Sequence, residues 1–132
     1  MSDSVLLLIT IQKRAERPKP AEEITMTGNQ FRELALSFPH TMAAPHFDRT
    51  AFKVVGKRIF ATLHEESKTA NVKFSTADQS VYCLIDKEAI YPVDNKWGLQ
   101  GWTTFHLARV DGEIMLDALH TAYNDVLKSK KK

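Results

Sequence analysis

Apolar and polar positions alternate most clearly in the run Ala51-Phe-Lys-Val-Val-Gly-Lys-Arg-Ile-Phe-Ala-Thr-Leu63, where two apolar-rich segments meet at Gly56-Lys57. A period of two marks a strand with one buried face, so the run predicts a β-hairpin. With Gly56 at the first central position of a two-residue type II′ turn, where φ must be positive, Val54 faces Ile59, Lys53 faces Phe60 and Phe52 faces Ala61. One face then carries Phe52, Val54, Ile59, Ala61 and Leu63 and is expected in the core. The other carries Lys53, Val55, Arg58, Phe60, Thr62 and His64, a mixed cationic face with one aromatic ring.

The pattern continues on both sides. Phe31, Leu34, Ala35 and Phe38 recur at helical spacing behind Thr27, a suitable N-cap, and Pro39 ends that helix. Residues 41–47 predict a first strand, which Pro45 confines to an edge or a bulge. Residues 70–75 predict a strand with Val72 and Phe74 inward and Asn71 and Lys73 outward. A short helix follows at 77–85, capped by Ser75 or Thr76, with Ala77, Val81, Leu84 and Ile85 as its apolar positions. Residues 89–93 are a brief extended piece, and 94–101 form a turn-rich loop. The strand at 102–110 sets Phe105 and Leu107 against Trp102, Thr104 and His106. The last helix, 111–127, has Asp111 as N-cap and an apolar face of Ile114, Leu116, Ala118, Leu119, Ala122, Tyr123, Val126 and Leu127. Helices at both ends with strands between them predict an α+β, two-layer fold: an antiparallel sheet with the N- and C-terminal helices packed on one face. The opposite face is then left to solvent or a partner.

A length of 132 residues suits one domain. Its bounds are expected at 26–127, followed by a basic tail at 128–132. Residues 1–25 read as an N-terminal extension, linker or non-native, because the charged, Pro-containing stretch 13–20 follows the apolar run at 5–11. Met26 then reads as the initiator, the other reading being an edge strand at 5–11. That run is far short of the ~20 residues of a membrane span and lacks the flanks of a signal peptide, so no membrane association is expected. Cys83 is the single cysteine, which rules out an intrachain disulfide and makes a reducing, cytoplasmic setting the expectation. A net charge of +2 is too balanced to announce nucleic-acid binding, which would need local clustering.

Such a cluster is expected on the open face. Lys53, Lys57, Arg58 and Lys73 could neutralise phosphates, and Phe60 or Trp102 could stack on bases. The loop Trp97-Gly-Leu-Gln-Gly-Trp102 is the other distinctive feature. Its glycines suit close approach of a partner or flat ligand, which makes Trp97, Trp102 and neighbouring His106 the candidates for binding a protein or small ligand. The competing reading packs both indoles as a secondary core. The five histidines lack the spacing of a dedicated metal site, so neither a metal nor a cofactor is expected. No GxSxG, P-loop or GxGxxG pattern occurs, and Cys83 within Val81-Tyr-Cys-Leu-Ile85 reads as a small apolar residue, so the chain is not expected to be an enzyme.

The order Phe31-Arg-Glu-Leu-Ala-Leu-Ser-Phe-Pro39, then Phe52-Lys-Val-Val-Gly-Lys-Arg-Ile-Phe-Ala61, then Trp97-Gly-Leu-Gln-Gly-Trp-Thr103, then a helix with Ala122-Tyr123 resembles the MmcQ/YjbR family over residues 26–127. The resemblance implies a CyaY-like (frataxin-like) fold, which agrees with the layout above. It also implies DNA binding, by a description of the family that rests on fold analogy. The frataxin-like fold suggests iron, but the first helix offers only Glu33, where a hard-cation surface needs a row of carboxylates. Two readings result: a DNA-binding protein acting through the hairpin and the open face, or a protein- or small-ligand-binding module centred on Trp97 and Trp102.

Overall fold

A computed structural model describes residues 26–129 of the chain. The extension expected at 1–25 and the end of the basic tail lie outside the described residues. Thr27 caps the first helix, α1 (Gly28–Ala35), through a capping box: its hydroxyl accepts from the Gln30 amide, and the Gln30 side chain accepts from the Thr27 amide. Phe31 and Ala35 are buried beneath it. The chain then enters β1 (Thr41–His46), turns at Phe47-Asp48 and returns as β2 (Arg49–Val54). β3 (Ile59–His64) and β4 (Thr69–Lys73) complete a meander. After α2 (Thr76–Cys83) come β5 (Ile90–Pro92), a single helical turn α3 (Lys96–Leu99) and β6 (Trp102–His106). A 3-10 turn at Leu107–Arg109 leads to α4 (Gly112–Lys128), whose N-cap Asp111 accepts from the Ile114 amide at 2.9 Å.

The six strands are antiparallel throughout, in the order β1-β2-β3-β4-β6-β5. Pro45 lies on the edge strand β1, where a missing N–H costs no interior ladder bond. α4 packs across β2, β3 and β4, with α1 beside it. α2 joins the same layer: the Tyr82 ring stacks on Phe74 at 4.6 Å, and the Tyr82 hydroxyl is 3.0 Å from that of Thr121 on α4. Burial holds the Tyr82 phenol far above the usual tyrosine range. The chain is thus an α+β fold with α1, α2 and α4 on one face of the sheet and most of the other face uncovered.

The hairpin departs from its expected register at one place. Phe52 pairs with Ala61 as anticipated, but Lys53 pairs with Ile59, so Phe60 is an extra residue in the ladder. This bulge turns Phe60 inward beside Ala61, where its ring meets Tyr123 of α4 edge-on at 6.0 Å and is fully buried. Ile59, assigned to the core by strict alternation, lies half-exposed on the open face opposite Lys53. The turn differs too. The Lys57 amide donates to the Val54 carbonyl at 2.8 Å, which puts Gly56 (φ +81°) at the second central position, as in a type II turn.

The helices also rotate relative to expectation. α2 buries Gln79 and Tyr82 rather than Ala77 and Leu84, and Leu84 is 61% exposed. α4 buries Met115, whereas Leu116 and Leu127 point outward. Cys83 is half-buried, and burial pushes its thiol pKa up, away from the thiolate that nucleophilic chemistry needs.

The bulge makes a direct prediction. Phe60→Ala removes a fully buried ring between sheet and α4 and should cost about 3–5 kcal/mol in denaturant unfolding. Ile59→Ala, on the open face, should cost less than half as much. Similar losses for both variants would contradict the register described here.

Candidate binding cleft

The uncovered face of the sheet holds the cleft. By alternation it carries Arg49, Ala51 and Lys53 of β2, Ile59 and Thr62 of β3, Asn71 and Lys73 of β4, and Trp102 and Thr104 of β6. At one end the β1–β2 turn rises as a rim, with Phe47 at φ +62° and 93% exposed. At the other end stands the segment around α3, carrying Trp97. Between them lies a cleft of about 650 Å³, lined by His46, Phe47, Asp48, Arg49, Ile59, Thr62, Asn71, Val93, Asn95, Trp97 and Trp102. A smaller hollow of about 260 Å³ shares Ile59, Trp97 and Trp102 with it and adds Arg58, Lys73, Gln100 and Asp125.

The tryptophan wall is fixed by the chain's own backbone. A Cβ on Gly98 would lie 1.9 Å from the Val93 carbonyl oxygen, and one on Gly101 (φ +108°) would lie 1.8 Å from that of Phe74. The glycines therefore serve internal close packing, not the approach of a partner expected from sequence. Gln79, buried on α2, donates from Nε2 to the carbonyls of Gly98 (2.9 Å) and Trp102 (3.1 Å), joining both ends of the segment to the helix. Asn95 caps α3 by accepting from the Trp97 amide at 2.8 Å, and the Lys96 ammonium lies 5.6 Å from the Trp97 ring centroid. Trp97 remains 49% exposed, and Trp102 is half-buried.

Polar groups along the cleft are partly committed. Asp48 Oδ2 is 3.1 Å from His64 Nε2, and His64 Nδ1 is 2.6 Å from the Ser67 hydroxyl. Arg49 donates from Nη1 to the Thr62 hydroxyl at 3.3 Å. Asn71 accepts from the Thr104 hydroxyl at 2.8 Å through Oδ1, which leaves its amide N–H groups as donors.

The residues expected from sequence are dispersed. Trp97 and Trp102 wall both hollows. Arg58 and Lys73 line the smaller one, with the Lys73 ammonium donating to the Phe74 carbonyl at 3.1 Å. Lys53 lies on the open face opposite Ile59 but outside both linings. Lys57 turns away to the C-terminus of α4, donating to the carbonyls of Leu127 (3.3 Å) and Ser129 (2.9 Å), a favourable place for a cation. Phe60 is in the core, so it cannot stack on a base as anticipated. His106 sits outside the cleft, bonded to the Tyr91 hydroxyl. Arg49 lies just before the alternating run and was not among the residues singled out from sequence. Counting back by twos from Lys53 through Ala51 would have placed it on the open face. Among the described residues no group of three or more His, Cys, Asp and Glu side chains is placed to hold a metal, and no helix is long and apolar enough to cross a membrane.

A family model described as YjbR matches residues 36–125. Among solved structures, the Deinococcus radiodurans protein DR2400, with a domain described by the family model DUF419, superposes with a TM-score of 0.68. It is 21% identical, and the match covers 80% of this chain and 81% of that one, a likeness of fold. No curated protein matches the chain.

The loop geometry predicts that Gly101→Ala, which drives a Cβ into the Phe74 carbonyl and strains a positive φ, should lose about 2–4 kcal/mol in chemical denaturation. Gln79→Leu, which strands two carbonyls, should lose about 1–3 kcal/mol and red-shift tryptophan emission as the wall loosens. Unchanged emission from a folded Gln79→Leu protein would show that the clamp does not position the indoles.

Proposed function

This chain belongs to the YjbR family, and we propose that it works by binding, taking a small, flat ligand into the cleft on the open face of its sheet. The observation that carries this reading is a cleft of about 650 Å³ walled by two indoles. Small-molecule sites commonly measure roughly 300–1,000 Å³ and are lined by aromatic and apolar groups with a few polar ones that set orientation. The polar groups here are of that orienting kind: a guanidinium, two side-chain amides, a histidine and a carboxylate already bonded to another histidine. The proposed role is binding, not catalysis.

A second reading, DNA binding, draws on a different observation. Lys53, Arg58 and Lys73 lie on the same face as Trp102, with Lys73 directly across the ladder from it. It draws nothing from Phe60, which is buried, and little from Lys57, which is occupied at α4.

Both tryptophans of the chain line the cleft, so intrinsic fluorescence reports on that site. Under the ligand reading, a neutral bicyclic aromatic such as naphthamide should quench the emission. Trp102→Ala should then weaken binding, followed calorimetrically, at least about tenfold. The double variant Lys53→Glu with Arg58→Glu should leave it nearly unchanged. Under the DNA reading, a double-stranded oligonucleotide should quench instead, its affinity falling steeply with salt and vanishing in the double charge variant.

A further inference from the structure

We infer that the cleft selects an aromatic anion, with its negative group on Arg49 and its ring against Trp97 and Trp102. This rests on the reading of the cleft as a ligand site and adds the class of ligand. Arg49 is half-buried, and its guanidinium has one described hydrogen bond, to the neutral Thr62 hydroxyl. No carboxylate is ion-paired with it among the described residues. Asp48, which lines the same cleft, has its carboxylate bonded to His64. A guanidinium carries five N–H donors in a fork matched to carboxylate and phosphate. One half-buried in an apolar cleft, with most of that fork unused, offers an anion a strong and directional contact.

The other cations on this face are less available to such a ligand. The Lys73 ammonium donates to the Phe74 carbonyl, Arg58 lines the smaller hollow together with Asp125, and Lys53 lies outside both linings. The distance between the two ends of the cleft sets the ligand's size. Arg49 reaches over β3 at Thr62, and Trp102 lies on β6, two strands further across the sheet. At about 4.8 Å per strand this is a span of about 10 Å, the reach of two fused rings bearing a carboxylate or of a nucleobase with its phosphate. Asn71 of β4 lies between them and lines the cleft, its Oδ1 bonded to Thr104 and its amide N–H groups left as donors.

Titration of the full chain with naphthoate and with its uncharged analogue naphthamide, read by tryptophan quenching and calorimetry, tests the inference. Naphthoate should bind at least about tenfold more tightly than naphthamide at neutral pH, the margin of a charge-assisted hydrogen bond. In Arg49→Gln the ratio should fall to about one through loss of naphthoate binding alone. Arg49→Lys should keep part of the preference, and added salt should weaken naphthoate only. Equal affinities in the wild type, or a preference that survives in Arg49→Gln, would overturn the anion assignment while leaving the cleft as an aromatic site. Failure of both probes to bind would overturn the cleft reading with it. Should Arg49→Gln not fold, the wild-type ratio, its salt dependence and Arg49→Lys decide the matter.

Discussion

Phe60 fills the space between β3 and α4, and its inward turn at the bulge sets what both faces of the sheet present. A regular ladder would pair Phe60 with Lys53 and leave a phenyl ring on the open side. The bulge forfeits regular pairing at one position, a net loss of about 1 kcal/mol. Burying the ring returns roughly 1.5–3 kcal/mol, part of which is offset because Ile59 gives up its own burial and lies half-exposed. The same step moves Ile59 outward, into the floor shared by the two hollows. Core packing and the lining of the open face therefore follow from one local event, and neither can be changed at that position without the other.

The far wall depends on a second constraint, which acts through backbone. The carbonyls of Val93 and Phe74 approach Gly98 and Gly101 so closely that no side chain fits. Gln79 then satisfies two carbonyls that would otherwise be buried without partners. Indoles on a mobile backbone would sample many orientations and lose entropy on binding. Trp97 stands on this held segment and Trp102 opens β6, so the backbone part of that ordering cost is met in folding instead of in association.

Much of the architecture was legible in the alternation of apolar residues. The strands β1 to β4 and β6, the capped helices α1 and α4, and the inward Val72 and Phe74 follow directly from period and capping chemistry. The bulge was not legible, because alternation cannot register an inserted residue when both neighbours are apolar, as Ile59 and Phe60 are. α2 was misread for a related reason: its buried residues are a tyrosine and a glutamine, which enter the interior on the strength of particular hydrogen bonds that composition does not show. In the cleft, Trp97 and Trp102 stood out by chemistry alone, whereas Arg49 depended on tertiary placement. The role of Lys57 was hidden because its partners, the last carbonyls of α4, lie 70 and 72 residues further along the chain.

The distribution of committed charge bears on what the open face can recognise. A phosphate backbone is bound by many cations at once, and each phosphate neutralised contributes about 0.9 to the slope of log affinity against log salt. Of the hairpin and sheet cations, Lys57 is spent on a helix end away from this face and Lys73 on a carbonyl, while Lys53 and Arg58 lie on the face outside the larger cleft. Within the larger cleft the cation is the Arg49 guanidinium, across roughly two strand spacings from Trp102. Such an arrangement concentrates recognition at one anionic group and one ring system. Under the proposed ligand reading, it suits a compact ligand held by one directional ionic contact and one stacking surface.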